Sequence, residues 1–313
     1  MDLIPSSGPH LHILLNHFPS IGTVIALGLF IASYRLKSVE VRRSSLVLFL
    51  LMGIAAIPTY ISGAASRWAI QNNPGINADV ISAHQDVALM AFTFLGITGC
   101  LAWFALWQER RFSETPTWNL IAVFATSVIS LLYMTRAGNI GGHINHPELG
   151  TVDVTVAQGE GLTASVEGMI TSVIWAWPAM EAAHFIGMAI IIGVVVLVGL
   201  RVLGVGKNLP FSTMHRLLPL GALGLVVNVI TGFFFFIADS GRYVAMDGFP
   251  PKIIFLVIGA VAIIYFTIFD DTWSLKAGDD APLLSKAVAA ITIFSWGAVM
   301  VFGRLLPYYG DGG

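Results

Sequence analysis

The chain has 313 residues, of which 56% are hydrophobic and 11% are charged, and its mean hydropathy is +0.80. A soluble domain usually carries about 25% charged residues, so this composition indicates an integral membrane protein. The net charge of −2 gives no reason to expect nucleic-acid binding. The single cysteine, Cys100, excludes an internal disulfide and the Cys-x-x-Cys-His attachment site of c-type haem.

Eight segments are apolar and long enough to cross a hydrocarbon core of about 30 Å as helices. They cover residues 11–34, 44–66, 83–107, 117–136, 179–204, 213–238, 252–272 and 283–305. Because lipid offers the backbone no hydrogen bonds, these segments should be helices rather than strands. We therefore expect an all-α integral membrane protein with two tandem four-helix bundles, residues 1–136 and 179–313, joined by a periplasmic loop over residues 137–178.

The basic residues predict how the chain is oriented in the membrane. Eleven of its 16 lysines and arginines lie in the odd-numbered connections, namely Arg35, Lys37, Arg42, Arg43, Arg110, Arg111, Arg201, Lys207, Arg216, Lys276 and Lys286. This excess places those connections inside and both termini outside, which in a bacterial inner membrane means the periplasm. Four outer arginines close the even-numbered helices: Arg67, Arg136, Arg242 and Arg304. They either anchor the helices at the interface or pair with haem propionates, anionic lipid or a partner protein.

Most of the histidines fall on that outer side. The seven are His10, His12, His17, His84, His143, His146 and His184, and only His215 is predicted inside. Imidazole is the commonest protein ligand of transition metals and also binds haem iron. This one-sided distribution is the main functional indication in the sequence.

Three of these histidines, His17, His84 and His184, are the candidate axial ligands of b-type haem iron. They lie about 9, 5 and 9 Å from the starts of their predicted helices, where an imidazole is costly without a partner. His17 and His84 would form one pair, and His184 would serve a second haem with His143 or His146. The alternative is that each is a neutral histidine hydrogen-bonded between helices. His10 and His12 precede the membrane, and we expect interfacial or local contacts for them.

Two carboxylates lie beside the candidate ligands. Glu181 precedes His184 by three residues on the same helix face, and Asp86 follows His84 by two residues. Both are candidates for relaying protons from quinol, and Glu181 is also a candidate hydrogen-bond acceptor that orients His184. A Glu-x-x-His pair also belongs to the di-iron pattern of helical bundles, but that pattern needs a second copy and two further carboxylates.

The loop over residues 137–178 is the only long connection, and long loops in compact proteins usually have a function. Its start is rich in glycine and holds His143 and His146. Residues 151–156 alternate like a short strand, and residues 160–177 have the spacing of an interfacial helix. The loop either caps a cofactor pocket or docks a periplasmic partner.

The two halves of the chain look related. The segment that begins with His17-Phe18 resembles the one that begins with His184-Phe185, and Ile61-Ser62-Gly63 resembles Ile230-Thr231-Gly232. The offsets of 167 and 169 residues are close to half the chain, which favours a parallel duplication. The third helices differ, because one begins around His84 and the other begins with two prolines and Lys252.

The first half carries His17-Phe18-Pro19, His84 and the Gly-x-x-Gly-Gly-His pattern that ends at His143. In these patterns it resembles a family of uncharacterised four-helix bacterial membrane domains. The resemblance implies a neighbouring periplasmic redox protein and a haem role for the histidines. The second half, with His184-Phe185-Ile186-Gly187-Met188, looks like another uncharacterised bacterial membrane family.

These observations favour a membrane electron-transfer subunit that binds one or two b-type haems near the periplasmic face. It would relay electrons between quinone and a periplasmic redox protein or other membrane subunits, with Arg67, Arg136 and Arg242 holding the haem propionates. The sequence does not place a quinone site, and it leaves open whether the chain is the membrane subunit of an oxidoreductase. One alternative is a transporter or channel for protons, metal or a small solute. Another is a cofactor-free anchor of a larger respiratory or photosynthetic complex.

Overall fold

Long apolar helices make up most of the computed structural model of the protein, which describes residues 7–146, 161–269 and 271–309. Within those ranges the chain forms no strand and has one 3-10 turn, over Thr272–Ser274. The helices are α1 (Gly8–Leu15), α2 (His17–Leu36), α3 (Val39–Ile70), α4 (Ala78–Phe112), α5 (Thr117–Asn145), α6 (Leu162–Ser172), α7 (Ala176–Leu203), α8 (Phe211–His215), α9 (Leu218–Ala238), α10 (Ser240–Ala245), α11 (Phe249–Ile268) and α12 (Leu283–Tyr309).

Eight helical spans in the described residues are long and apolar enough to cross a membrane. α1 and α2 together form the first span, and α8 and α9 together form the sixth. The predicted number of spans and the all-α class are confirmed. A protein with such spans has the lipid bilayer as its surroundings.

The region predicted as an outer loop is partly helical. α5 continues nine residues past the predicted end at residue 136, so His143 lies in its last turn rather than in a glycine-rich loop. Glycine lowers helix propensity but does not forbid a helix that packs against a neighbour. The helix expected within residues 160–177 is α6. The strand-like residues 151–156 lie outside the described residues.

The chain divides into two compact units, residues 1–165 (unit 1) and residues 166–313 (unit 2). In unit 1, α3 packs between α2 and α4, and α5 packs against both α4 and α2. α1 folds back onto α3. Hydroxyl groups join the helices, as when Ser45 Oγ donates to the Ala26 carbonyl at 2.8 Å and Thr98 Oγ1 donates to Thr126 Oγ1 at 2.9 Å.

In unit 2, α7 packs against α9 and α12, and α11 packs against α12. Arg201, at the end of α7, is only 2% exposed and joins the two connections at that end of the unit. Its guanidinium donates to the carbonyl oxygens of Leu209 at 2.7 Å, Lys276 at 3.1 Å and Asp279 at 3.4 Å. A buried guanidinium needs such acceptors, so this arginine of the predicted inner side has a structural role.

Two glycines set the distance between α3 and α4. A Cβ added at Gly99 would lie 3.2 Å from the Gly53 Cα, and one added at Gly53 would lie 3.1 Å from the Gly99 Cα. Both contacts are with backbone, which cannot move aside as a side chain can. Small residues at such crossings let membrane helices approach closely when no hydrophobic effect drives them together.

Gly99→Val should push α3 and α4 apart and lower the free energy of unfolding by about 1–3 kcal/mol, the usual cost of overpacking. Denaturant or thermal unfolding of the purified protein in detergent measures the change. Gly96→Val, on the same helix, is the matched control, since a Cβ added at Gly96 meets nothing within 4 Å. Equal stability of the two variants would contradict the close contact.

Candidate cofactor site

The first imidazole of the site belongs to His12, on α1. Its Nδ1 lies 3.1 Å from the Thr59 carbonyl oxygen and 3.3 Å from Ser62 Oγ, both on α3. A carbonyl oxygen only accepts, so Nδ1 carries the hydrogen and the lone pair of the neutral ring is on Nε2. The ring lies on Gly63, where an added Cβ would be 3.0 Å from the His12 Cε1. Glycine at this position therefore makes room for the imidazole.

α1 and α2 meet at Asn16, three residues before a proline. Pro19 has no N–H and cannot bond to the carbonyl of Leu15, four residues earlier. The Thr59 hydroxyl on α3 lies 3.4 Å from that carbonyl, but its closer acceptor is the Ala55 carbonyl of its own helix at 2.8 Å. Asn16 has right-handed helical angles, φ −64° and ψ −23°, and the Ser20 hydroxyl donates to its carbonyl at 2.8 Å. α1 and α2 therefore follow one another as a single span.

The second imidazole belongs to His84, in the second turn of α4. Its Nδ1 donates to the Ala137 carbonyl oxygen on α5 at 2.9 Å. The ring lies on Gly141, where an added Cβ would be 3.1 Å from the His84 Cε1. As in His12, the hydrogen is on Nδ1 and the lone pair of the neutral ring is on Nε2. No described residue hydrogen-bonds either Nε2 atom.

His12 and His84 lie close enough to interact electrostatically. A polar network adjoins them, in which Arg67 of α3 donates to the Gln85 side chain of α4. Tyr60 hydrogen-bonds Gln85 as well, and its ring lies 4.9 Å from that of Phe92. Unit 1 therefore brings two imidazoles and a guanidinium to one end, where α1 and α4 begin and α3 and α5 end.

His17, the predicted partner of His84, lies elsewhere. Its side chain is exposed, and its Nδ1 bonds to the Ile13 carbonyl of the preceding turn at 2.8 Å. The structure brings His12 to His84 instead, although the sequence reasoning gave His12 only interfacial contacts. The missed signal is the helix face, because residues five positions apart lie about 140° apart around a helix, so His12 and His17 cannot both face α3.

The remaining unit 1 candidates lie around this end without joining the pair. His143 bonds through Nδ1 to the Asn139 carbonyl of its own helix at 2.9 Å. His146 is exposed just after α5, and Arg136 is exposed on α5.

Asp86 has a structural role at the start of α6. Its side chain is 5% exposed, and its two carboxylate oxygens accept from the backbone N–H groups of Leu162 at 3.2 Å and Thr163 at 3.0 Å. A carboxylate at the first turn satisfies orphan donors and complements the helix dipole. Gly161 is required beside it, because a Cβ there would overlap the carboxylate. This contact occupies both carboxylate oxygens, and it therefore competes with the proton-relay role predicted for Asp86.

In unit 2, His184 of α7 contacts α9. Its Nδ1 lies 2.7 Å from Thr231 Oγ1, and that hydroxyl donates its one hydrogen to the Val227 carbonyl at 2.7 Å. His184 Nδ1 must therefore be the donor, and the lone pair of the neutral ring is on Nε2. An added Cβ at Gly232 would lie 3.5 Å from the His184 Cε1, and the Phe235 ring meets the imidazole edge-on at 5.7 Å.

Two ionisable groups lie near His184, but Glu181 does not hydrogen-bond it. Glu181 is exposed, and its charge acts on Tyr243 of α10. Burial raises the pKa of the Tyr243 phenol, and the Asp239 carboxylate raises it further. Lys252 of α11 interacts electrostatically with His184, whereas Arg242 is exposed.

Among the described residues, no three His, Cys, Asp or Glu side chains lie close enough together to hold a metal ion. No protein-family model, curated protein or solved structure matches the chain significantly.

Asp86→Ala should release the first turn of α6. Hydrogen bonds to a charged carboxylate contribute about 1.5–3 kcal/mol, so the amides of Leu162 and Thr163 should exchange about 10- to 100-fold faster. Hydrogen exchange followed by mass spectrometry of peptides from this region measures the effect. Asp79→Ala, an exposed position in the first turn of the same helix, is the control. Unchanged exchange in Asp86→Ala would rule out this role.

Proposed function

We propose that this protein is a membrane electron-transfer subunit in which unit 1 binds a b-type haem between His12 and His84. One observation carries the proposal. Two imidazoles from different helices lie within electrostatic range of each other, and each has its Nδ1 hydrogen-bonded to a backbone carbonyl. This leaves two Nε2 lone pairs, which is the donor set for axial ligation of haem iron.

The residues present fit a haem better than an ion held by protein alone. A structural zinc site needs four protein ligands, and a catalytic one needs three. A porphyrin supplies four nitrogen ligands, so two imidazoles complete the coordination. The carbonyls of Thr59 and Ala137 fix the orientation of the two rings, and such partners raise the basicity of a ligating imidazole. When bound, haem supplies reversible one-electron chemistry.

Arg67 is the best candidate for a haem propionate. Its guanidinium is partly buried, is held by Gln85 and lies at the same end as the two imidazoles. A guanidinium fixed in this way offers a carboxylate two parallel donors. Arg136 is exposed at that end of α5 and is the second candidate. These assignments belong to the proposal.

The orientation predicted from the basic residues places this end of unit 1 at the periplasmic face of a bacterial inner membrane. α6 begins at the same end, because Asp86 holds its first turn two residues from His84. That arrangement supports a periplasmic redox protein as one electron partner. Quinone, which is dissolved in the bilayer, is the proposed partner on the membrane side.

His12→Ala and His84→Ala should each change the absorption spectrum of the haem-loaded, purified full chain. Each removes one of the two axial ligands, so we expect a shifted Soret band and at least a several-fold loss of bound haem by pyridine haemochrome assay. His17→Ala is the matched control and should leave both unchanged, since its ring is exposed and bonded within its own helix.

Two results would overturn the proposal. One is wild-type protein that shows no Soret band after it has been incubated with excess haem and the free haem has been removed. The other is a spectrum that His17→Ala perturbs while the His12 and His84 variants leave it intact.

A further inference from the structure

His184 in unit 2 is held by its neighbouring helix in the same way as His12 in unit 1. His184 Nδ1 bonds to the hydroxyl of Thr231 and its ring lies on the following Gly232. In unit 1, His12 contacts the Ser62 hydroxyl in the same way, and its ring lies on the following glycine. Each unit thus presents an imidazole from its first span, held by the second span with Nε2 facing away from that hydrogen bond.

Lys252 in unit 2 corresponds in position to His84 in unit 1. His84 begins the third span of unit 1 and lies on Gly141 of the fourth. Lys252 begins the third span of unit 2, and a Cβ added at Gly303 of its fourth span would lie 3.6 Å from both Cε and Nζ of the lysine. The Phe249 ring, three residues before Lys252, stacks on Phe236 at 5.6 Å, and the neighbouring Phe235 ring meets His184, so the lysine and the histidine lie at the same end of unit 2. The lysine therefore occupies the place of the second imidazole.

This exchange changes the ligand that the site can take. Lys252 Nζ has no hydrogen bond or ion pair with any residue that the structure describes, and as an ammonium it only donates. His184 Nε2 carries a lone pair and accepts. A metal cation would be repelled by the lysine, and a simple anion would place acceptor atoms against the histidine lone pair. The pair requires a ligand with an acceptor at one point and a donor at another.

The surroundings require that ligand to be largely apolar. The Phe235 ring meets the His184 imidazole, and the Trp177 ring lies 4.9 Å from Phe235. His184 and Lys252 lie at the end of unit 2 where α7 and α11 begin, inside helices apolar enough to cross a membrane. A ligand reaching them from the bilayer must be soluble in lipid. An uncompensated lysine in such a position is a functional candidate.

We infer that His184 and Lys252 bind the headgroup of a membrane quinone. One hydroxyl oxygen of a quinol accepts from Lys252 Nζ and its other hydroxyl donates to His184 Nε2, whereas a quinone keeps only the hydrogen bond from Lys252. The aromatic side chains offer a surface for the ring. This inference rests on the proposed function for the role of quinone, and it deepens that function by naming the residues that hold it.

The test uses the purified, haem-loaded full chain in nanodiscs, titrated with decylubiquinone. Quinones quench tryptophan fluorescence, and Trp177 is near enough to report, so a saturable quenching that Trp177→Phe reduces is expected. Lys252→Met should weaken decylubiquinone binding about tenfold or more, and His184→Phe should weaken displacement of the quinone by decylubiquinol to the same extent, because each removes one hydrogen bond to its ligand. Lys276→Met and His17→Phe, both at exposed positions, should bind like the wild type.

Thermal unfolding of each variant shows whether weaker binding comes from a lost contact or from a lost fold. Lys252→Arg keeps a cationic donor and should restore part of the affinity for decylubiquinone. Wild-type protein without saturable quenching would overturn the inference, and so would folded variants in which Lys252→Met binds the quinone and His184→Phe binds the quinol with wild-type affinity. The Soret band is recorded on the same samples. A normal band without quinone binding refutes this inference alone, whereas quinone binding without a band refutes the haem site alone.

Discussion

The contact between α1 and α3 determines where the histidines of unit 1 lie. Pro19 has no N–H for the Leu15 carbonyl, and a backbone carbonyl in lipid is costly without a donor. The Thr59 hydroxyl lies 3.4 Å from that carbonyl, although its closer acceptor is the Ala55 carbonyl of its own helix at 2.8 Å. α1 packs on α3, where His12 reaches the Thr59 carbonyl, while His17 is exposed. The proposed pairing of His12 with His84 depends on this contact.

Glycine and hydroxyl residues together create the sites in both units. Helices in lipid are held by close packing and polar contacts, since no hydrophobic effect separates them from their surroundings. Gly63, Gly141 and Gly232 each leave space for an imidazole against a neighbouring backbone. A carbonyl or hydroxyl on that neighbour then fixes the ring through Nδ1. Packing and ligand chemistry are therefore set by the same few positions.

Hydropathy was sufficient to predict the eight spans, because the length of an apolar helix is set by the thickness of the membrane. Depth in a span was sufficient to select His84 and His184, which both contact a neighbouring helix. Depth did not distinguish His12 from His17, because it takes no account of the helix face on which each residue lies. The contact between Asp86 and α6 joins residues 76 positions apart in sequence, and no local pattern reports such a pair. The lysine that matches His84 was visible only as a difference between the halves.

The central claim is that His12 and His84 ligate one haem iron, and its spin state tests this most directly. Two imidazoles give a strong-field, six-coordinate iron, so electron paramagnetic resonance of the oxidised, haem-loaded wild type should show a low-spin ferric signal. Replacing His12 with alanine should convert that signal to high spin, while replacing His17 should not. A wild-type protein that binds no haem, or whose haem is high-spin in both the wild type and the His12 variant, would contradict the account.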